Sequence, residues 1–299
     1  MLKRICVILG ALAFLFPISA FSQQEGLGPR VMVDGTEIPG YICTGDLLTV
    51  GFNEGGGFGV GDTNLGIGTG FQFPPGEVHE SLAYATWAEG WKISYKFEKG
   101  GEVRDRTAWW QPYDLGWPPP PEVAGFVPVS AKVKRDDEQE CLYRVVVKTK
   151  DNRLKLTFDF RFRKAYPSVL VTTKIANISS VKLFDVVYAR TADWDIHQNP
   201  GNYWSSNDHS VFACGNDFGG TTPLSVMSIS GRGSEVLSAD EYAWDDLSIR
   251  GPGSIVTRNR TPYFNDYHGA IHYHLGTLKA GASKKMVTVY SAAFTDQCL

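Results

Sequence analysis

Apolar and polar residues alternate along much of this chain. Leu154, Leu156, Phe158, Phe160 and Phe162 are separated by Lys155, Thr157, Asp159 and Arg161. A period of two buries one face of a strand and wets the other. Tyr143, Val145 and Val147 repeat the pattern just before, and Asp151-Asn152 supplies a turn, so the two runs form a hairpin. The Val-, Thr- and Ile-rich run 168–178 extends the hairpin into a meander. Runs at 93–97, 103–110, 126–133, 183–188, 224–229, 270–274 and 286–290 also read as strands. No long segment combines helical periodicity with caps. No repeat of fixed period is visible, which argues against a propeller or solenoid.

Strands at this spacing exceed one immunoglobulin-like module of about 100 residues. The proline run 118–121 is flanked by Trp117 and reads as a rigid surface loop, not a hinge. No other linker divides the chain. The expected fold is therefore all-β: a single large antiparallel β-sandwich, super-sandwich-like, with Greek-key connections, over residues 23–299. A membrane β-barrel is the rival all-β class. The cysteines and long irregular loops fit it less well.

The amino terminus is set apart from this pattern. A short basic start (Lys3, Arg4) precedes an uncharged apolar run, then Pro17, Ser19 and the small residues Ala20 and Ser22. This is the layout of a secretory signal peptide over residues 1–22, too short to span a bilayer as a permanent helix. No cysteine follows the cut, so a lipid anchor is not expected. Export places the protein in the cell envelope (periplasm or outer surface) or outside the cell. It also makes Cys43, Cys141, Cys214 and Cys298 candidates for two disulfides, with three pairings open.

The chain is 43% hydrophobic and 13% aromatic, unlike a disordered segment. Its net charge is −3, which loss of Lys3 and Arg4 takes to −5. A nucleic-acid partner is not expected from that balance, and no integral membrane segment remains after cleavage.

Four stretches carry candidate chemistry. The glycine-dense run 53–70 reads as a flexible surface loop; its resemblance to a calcium-binding nonapeptide is off by one residue and occurs once. Asp193, Asp195 and His197 alternate onto one face of an extended segment, a set that fits calcium through its carboxylates or zinc through its imidazole. The bland alternative has Trp194 and Ile196 in the core, a solvated polar face, and Asp195 paired with Arg190. His268, His272 and His274 cluster, with His272 and His274 on one strand face. Trp87, Trp91, Trp109, Trp110, Tyr113 and Trp117 crowd one part of the chain. Aromatic side chains of this kind stack on sugar rings when exposed and fill a core when buried. Trp109, Trp110, Tyr113 and Trp117 are the candidate glycan surface. Adjacent Trp109 and Trp110 face opposite sides of a strand, so one at most is core.

Several short stretches occur together in order: Asn53-Glu54-Gly55-Gly56; Glu89-Gly90-Trp91; Arg190 with Asp193-Trp194-Asp195-Ile196; and 275–284 running on to Tyr290-Ser291-Ala292-Ala293. In this combination the chain resembles an uncharacterised exported bacterial β-sandwich domain of the kind found in PEP-CTERM-type secreted proteins. The resemblance implies a secreted or cell-surface setting and brings no activity with it. The chain has no Pro-Glu-Pro motif and no basic-ended sorting helix, so the resemblance does not extend to that anchoring route.

No metalloprotease helix, nucleophile elbow or Cys/His nucleophile signature is present. The reading is a non-catalytic binding protein of the cell surface or exterior, with a glycan or surface component as partner and calcium as the candidate ion. A secreted carbohydrate-active lyase, hydrolase or epimerase is the alternative, with Asp195, His197, His272 and Arg190 as acid/base candidates. A structural envelope protein is the third reading.

Overall fold

The computed structural model describes residues 32–33, 36–37, 40–62, 67–82, 89–110, 125–199, 201–217, 219–240, 263–265 and 268–298. The expected signal peptide and the proline run lie outside them. In chain order the strands are β1 Met32–Val33, β2 Thr36–Glu37, β3 Gly40–Thr44, β4 Thr49–Asn53, β5 Val60–Asp62, β6 Ile67–Thr69, β7 Phe71–Gln72, β8 Glu89–Lys99, β9 Glu102–Trp110, β10 Phe126–Asp136 and β11 Glu140–Thr149. They continue as β12 Leu154–Arg163, β13 Ser168–Asn177, β14 Leu183–Asp193, β15 Asn202–Ser206, β16 Ser210–Gly215, β17 Ser225–Gly231, β18 Glu235–Asp240, β19 Tyr263–Asn265, β20 His268–Leu278 and β21 Ser283–Phe294.

Two sheets dominate. Nine strands run in the order β10-β11-β12-β13-β21-β17-β16-β15-β19, and five in the order β18-β20-β14-β8-β9. Every pairing is antiparallel. A three-stranded sheet, β3-β4-β7, adds Cys43, Val50, Phe52 and Phe71 to the core. The protein is a large antiparallel β-sandwich, as the alternation predicts.

That alternation decides which residues meet. Phe158, Phe160 and Phe162 of β12 project inward and are fully buried, as are Val145 and Val147 beside them. From the smaller sheet, Trp91, Ile93, Tyr95 and Phe97 of β8 and Tyr188 of β14 meet them in one continuous apolar cluster. Each such large side chain contributes about 1.5–3 kcal/mol on leaving water. The chain returns on itself to close the large sheet: β21 pairs with β13 on one side and β17 on the other. At the far edge, β10 carries Pro128 and two register shifts, both familiar at an edge strand.

Disulfides join Cys43 to Cys141 and Cys214 to Cys298. The first ties β3 to β11; the second ties β16 to the segment after β21. No helix among the described residues is long and apolar enough to cross a membrane.

The glycine-dense run departs from expectation. Gly55, Gly56, Gly57 and Phe58 are buried, not a free surface loop. Gly56 has φ +89°, and a β-carbon there would lie 2.6 Å from the Phe158 ring. Glycine is needed both for the backbone turn and for the close approach to the core.

Candidate functional site

The stretches that carry the sequence resemblance meet at one buried place. Asn53, at the end of β4, accepts hydrogen bonds from the Gly55 and Gly57 N–H groups and donates to the Phe58 carbonyl at 2.8 Å. The turn so formed offers its polar groups to the sandwich interior. The Phe58 N–H donates to Glu89 Oε2 at 2.7 Å, and Trp91 Nε1 donates to the Gly55 carbonyl at 2.7 Å. Arg190 of β14 donates through Nε to Glu89 Oε1 at 2.9 Å and through Nη2 to the Gly56 carbonyl at 3.2 Å. A second bond to Oε1 comes from Arg190 Nη2, and the Tyr290 hydroxyl of β21 donates to the same oxygen.

Glu89 and Arg190 are both inaccessible to solvent. Burial lifts the Glu89 carboxyl above its ordinary value, and its hydrogen-bond partners oppose that lift. Four donors on its two oxygens, two of them from a guanidinium, favour the ionised form. Burial works against the Arg190 charge as well, but Glu89 and the tyrosines hold its pKa well above the ordinary value. The partner of Arg190 is thus Glu89, and not Asp195 as the bland alternative reading of the sequence has it. The pair lies on neighbouring strands of the five-stranded sheet, with no solvent contact, and the Tyr290 hydroxyl, bonded to both residues, ties it to the nine-stranded sheet.

A second buried carboxylate works the same way. Glu80 accepts from the N–H groups of Gly70, Phe71, Ser81 and Leu82 at 2.8–3.1 Å. It holds the turn Glu77–His79 against the turn Ile196–Gln198, whose Gln198 N–H donates to the Glu80 carbonyl at 3.0 Å.

Asp193, Asp195 and His197 do not continue as an extended strand. β14 ends at Asp193, and the chain then turns, with His197 and Gln198 at φ +54° and +63°. Left-handed backbone at two successive non-glycine residues is strained. Trp194 and Ile196 enter the core, and Asp193, Asp195 and His197 are also buried. His197 Nε2 lies 3.0 Å from Ser225 Oγ, and its ring meets that of His79 edge to face at 5.1 Å. Burial pushes His197 down to about 4, with His79 adding to the shift and Asp217 opposing it. Among the described residues, one set of three metal-capable side chains gathers within 4.8 Å: Cys43, Asp136 and Cys141, whose two sulfurs form a disulfide.

Other candidates share the face of the five-stranded sheet turned away from the core. Register sets Trp109 opposite Lys92, Lys92 opposite Ala189, and Ala189 opposite His272, a single row across four strands. His274 lies one row along, its ring against that of His272 at 4.5 Å. Asp193 lies two rows the other way. Small residues, Ala189 and Thr191, floor the middle, and this face too is covered from solvent at Ala189, Thr191 and His272. Trp109 is half-buried, while Trp91 fills the core at 1% exposure. Trp110 ends β9; its side chain, Tyr113, Trp117 and Trp87 lie outside the description, as does the side chain of His268.

An open site exists elsewhere. A cavity of about 580 Å³ lies at the edge of the large sheet, lined in part by Tyr203, Phe264, Asn199, Asn216 and Asp217. Register places Tyr203 of β15 directly opposite Phe264 of β19. Their rings meet edge to face at 5.0 Å and are 45% and 56% exposed. The alternation explains the arrangement: the next residue, Trp204, is fully buried. The polar wall is rigid. Asn199 Nδ2 donates to the Asn216 carbonyl, and Asn199 Oδ1 accepts from the Gly201 N–H, both at 3.0 Å. Asp217 accepts from the Thr221 N–H and hydroxyl, which hold its carboxyl below the usual range. Cys298, joined to Cys214, also lines the cavity. Sequence reasoning missed this site because β15 and β19 are too short to show a period; the adjacent aromatics Tyr203 and Trp204, which a strand sends to opposite faces, were the available signal.

No protein-family model matches the chain, and no curated protein matches it by sequence. Among solved structures it is similar to a bacterial glucoamylase complexed with acarbose, at 12% identity and TM-score 0.48, over 85% of this chain and 32% of that one. It is also similar to a GalM/aldose epimerase homologue from C. elegans, at 9% identity and TM-score 0.38, over 86% of this chain and 100% of that one. A polysaccharide lyase is matched at 13% identity and TM-score 0.34, over 87% of this chain and 33% of that one. The chain thus spans about a third of the glucoamylase and of the lyase.

Proposed function

We propose that this is an exported protein that binds a neutral glycan in the cavity beside Tyr203 and Phe264, without covalent chemistry. The observation that carries the reading is the exposed ring pair. Two aromatic faces held in solvent by a rigid sheet edge cost apolar exposure, and a pyranose face is the complement that would cover them. Asn199, Asn216 and Asp217 stand beside the rings as partners for hydroxyl groups. Binding is favoured over catalysis because the residues suited to acid/base chemistry are withdrawn: Arg190, Asp195, His197 and His272 are each 4% exposed or less. Two disulfides agree with an oxidising, exported setting.

Titration calorimetry against a panel of neutral oligosaccharides tests this. Tyr203→Ala and Phe264→Ala are each expected to weaken binding about tenfold, or about 1.4 kcal/mol, with the melting temperature kept. No binding across the panel overturns the reading. Binding lost in Trp109→Ala but kept in Tyr203→Ala would move the site to the smaller sheet and equally overturn it.

A further inference from the structure

The outward face of the large sheet carries a second, independent feature. The period of two that sends Phe158 and Val145 inward sends lysines outward. Register sets Lys148 of β11 directly opposite Lys155 of β12, and Lys174 of β13 directly opposite Lys285 of β21. Lys132 of β10 lies opposite Arg144 of β11. Like charges directly opposite across a ladder repel and destabilise the sheet. A register shift in β10 adds Lys134 to the group, and Lys132 beside it pulls the Lys134 ammonium below its usual pKa.

These charges are not neutralised within the protein. The carboxylates on this face are already engaged: Asp159 by Arg144 at 2.5 Å, and Glu140 by Arg161 at 2.8 Å and Arg135 at 2.7 Å. None of the six lysines makes an ion pair among the described residues, and none is buried. A chain with net charge −3 has therefore gathered uncompensated positive charge on one face of the sheet. Such a pattern costs stability when empty and gains from an anion when filled.

The spacing indicates the form of the anion. Lys148, Lys155, Lys174 and Lys285 stand on four neighbouring strands, in two adjacent outward rows. At about 4.8 Å between strands they reach about 14 Å across the sheet. A small ion would meet one or two of them; a polymer with repeating charge meets them all. The side-chain chemistry narrows the class. Lysine ammoniums are point charges, whereas the forks that grip phosphate bidentately, Arg144 and Arg161, are already clamped on carboxylates. Val146, Thr157 and Ala176 share these two rows with the lysines and offer no ring on which a nucleic-acid base could stack.

We propose that this face binds a linear polysaccharide bearing carboxylates. The surface is separate from the cavity at Tyr203 and Phe264 and does not depend on it.

The test uses the full mature protein with polygalacturonate as probe and dextran as the neutral control. Binding is measured at about 50 mM and about 200 mM NaCl, since displacement of counterions makes such contacts salt-dependent. Polygalacturonate is expected to bind, and to lose about tenfold or more in affinity across that range, while dextran does not compete for this face. Lys155→Gln with Lys174→Gln should weaken binding about tenfold and flatten the salt dependence. This variant relieves repulsion, so its melting temperature should hold or rise, which separates lost binding from lost folding. Tyr203→Ala should leave polygalacturonate binding unchanged. Absence of binding at low salt, or binding unaltered in the double variant, would overturn the proposal. So would equal binding to single-stranded DNA or to vesicles of anionic phospholipid, since either would mean an unselective positive surface.

Discussion

Removing one partner from the Glu89–Arg190 pair tests directly how much this buried network stabilises the fold. Neither residue touches solvent, and the carboxylate receives four hydrogen bonds. Glu89→Gln leaves a guanidinium buried without a counter-charge. Arg190→Met leaves the carboxylate with only Tyr290 and the Phe58 N–H. Each single change is expected to cost about 3–5 kcal/mol, the usual result of stranding a buried charge. In a protein of this size each kcal/mol lowers the melting temperature by about 2–4 °C, so losses of about 6–20 °C are expected. The double variant strands no charge and should cost less than the two singles together by about 2 kcal/mol or more. Urea denaturation followed by tryptophan fluorescence measures all three, Trp91 being part of the same network. Single variants within about 1 kcal/mol of the parent, or a double variant equal to their sum, would refute the reasoning.

Three further outcomes can be checked. His197 is buried with a pKa near 4 against an ordinary value of 6.5. The unfolded chain therefore takes up its proton first. The resulting stability is complete above about pH 6.5, declines by about 3 kcal/mol on acidification to pH 4, and is flat below. His197→Asn should remove that slope in melts across this range, and a slope equal to the parent's would count against it. Cys298→Ser opens a link between residues 84 apart and should cost about 2–4 kcal/mol; an unchanged melting temperature would mean the bond adds nothing. Gly51→Ala would set a β-carbon 2.0 Å from the Thr69 carbonyl oxygen. Backbone cannot yield there cheaply, and a loss of about 1–3 kcal/mol is expected by the same melts.

The parts of this fold legible in the sequence are those with local signals. The run from Leu154 to Phe162 declares a strand and its inward face without reference to anything else. The same holds for the turn at 280–281, where Gly281 has φ +75°. The buried network was not legible. Arg190 and Glu89 are 101 residues apart, and Tyr290 and Glu89 are 201 apart. Nothing near Arg190 distinguishes Glu89 from Asp195 as its partner; that choice is made by which strands become neighbours. The glycine run misled for a related reason. Glycine density signals backbone freedom, but not whether the freedom serves motion or close packing. Tyr203 and Phe264 come together only because β15 happens to lie between β16 and β19.

The position of β21 bears on how the protein is made. It lies between β13 and β17 in the large sheet, yet it follows both in sequence. As the chain emerges, β13 and β17 each present an open edge until residues 283–294 are available. Two exposed edges on one nascent chain invite pairing with other molecules. Late arrival also means that the Tyr290 hydroxyl reaches Glu89 only when the sheet closes. Translation stopped before residue 283 would therefore yield not a shorter sandwich but two unsealed halves. Quality control of such a product would be a matter of timing, since the hazard lasts only as long as the gap waits for its strand.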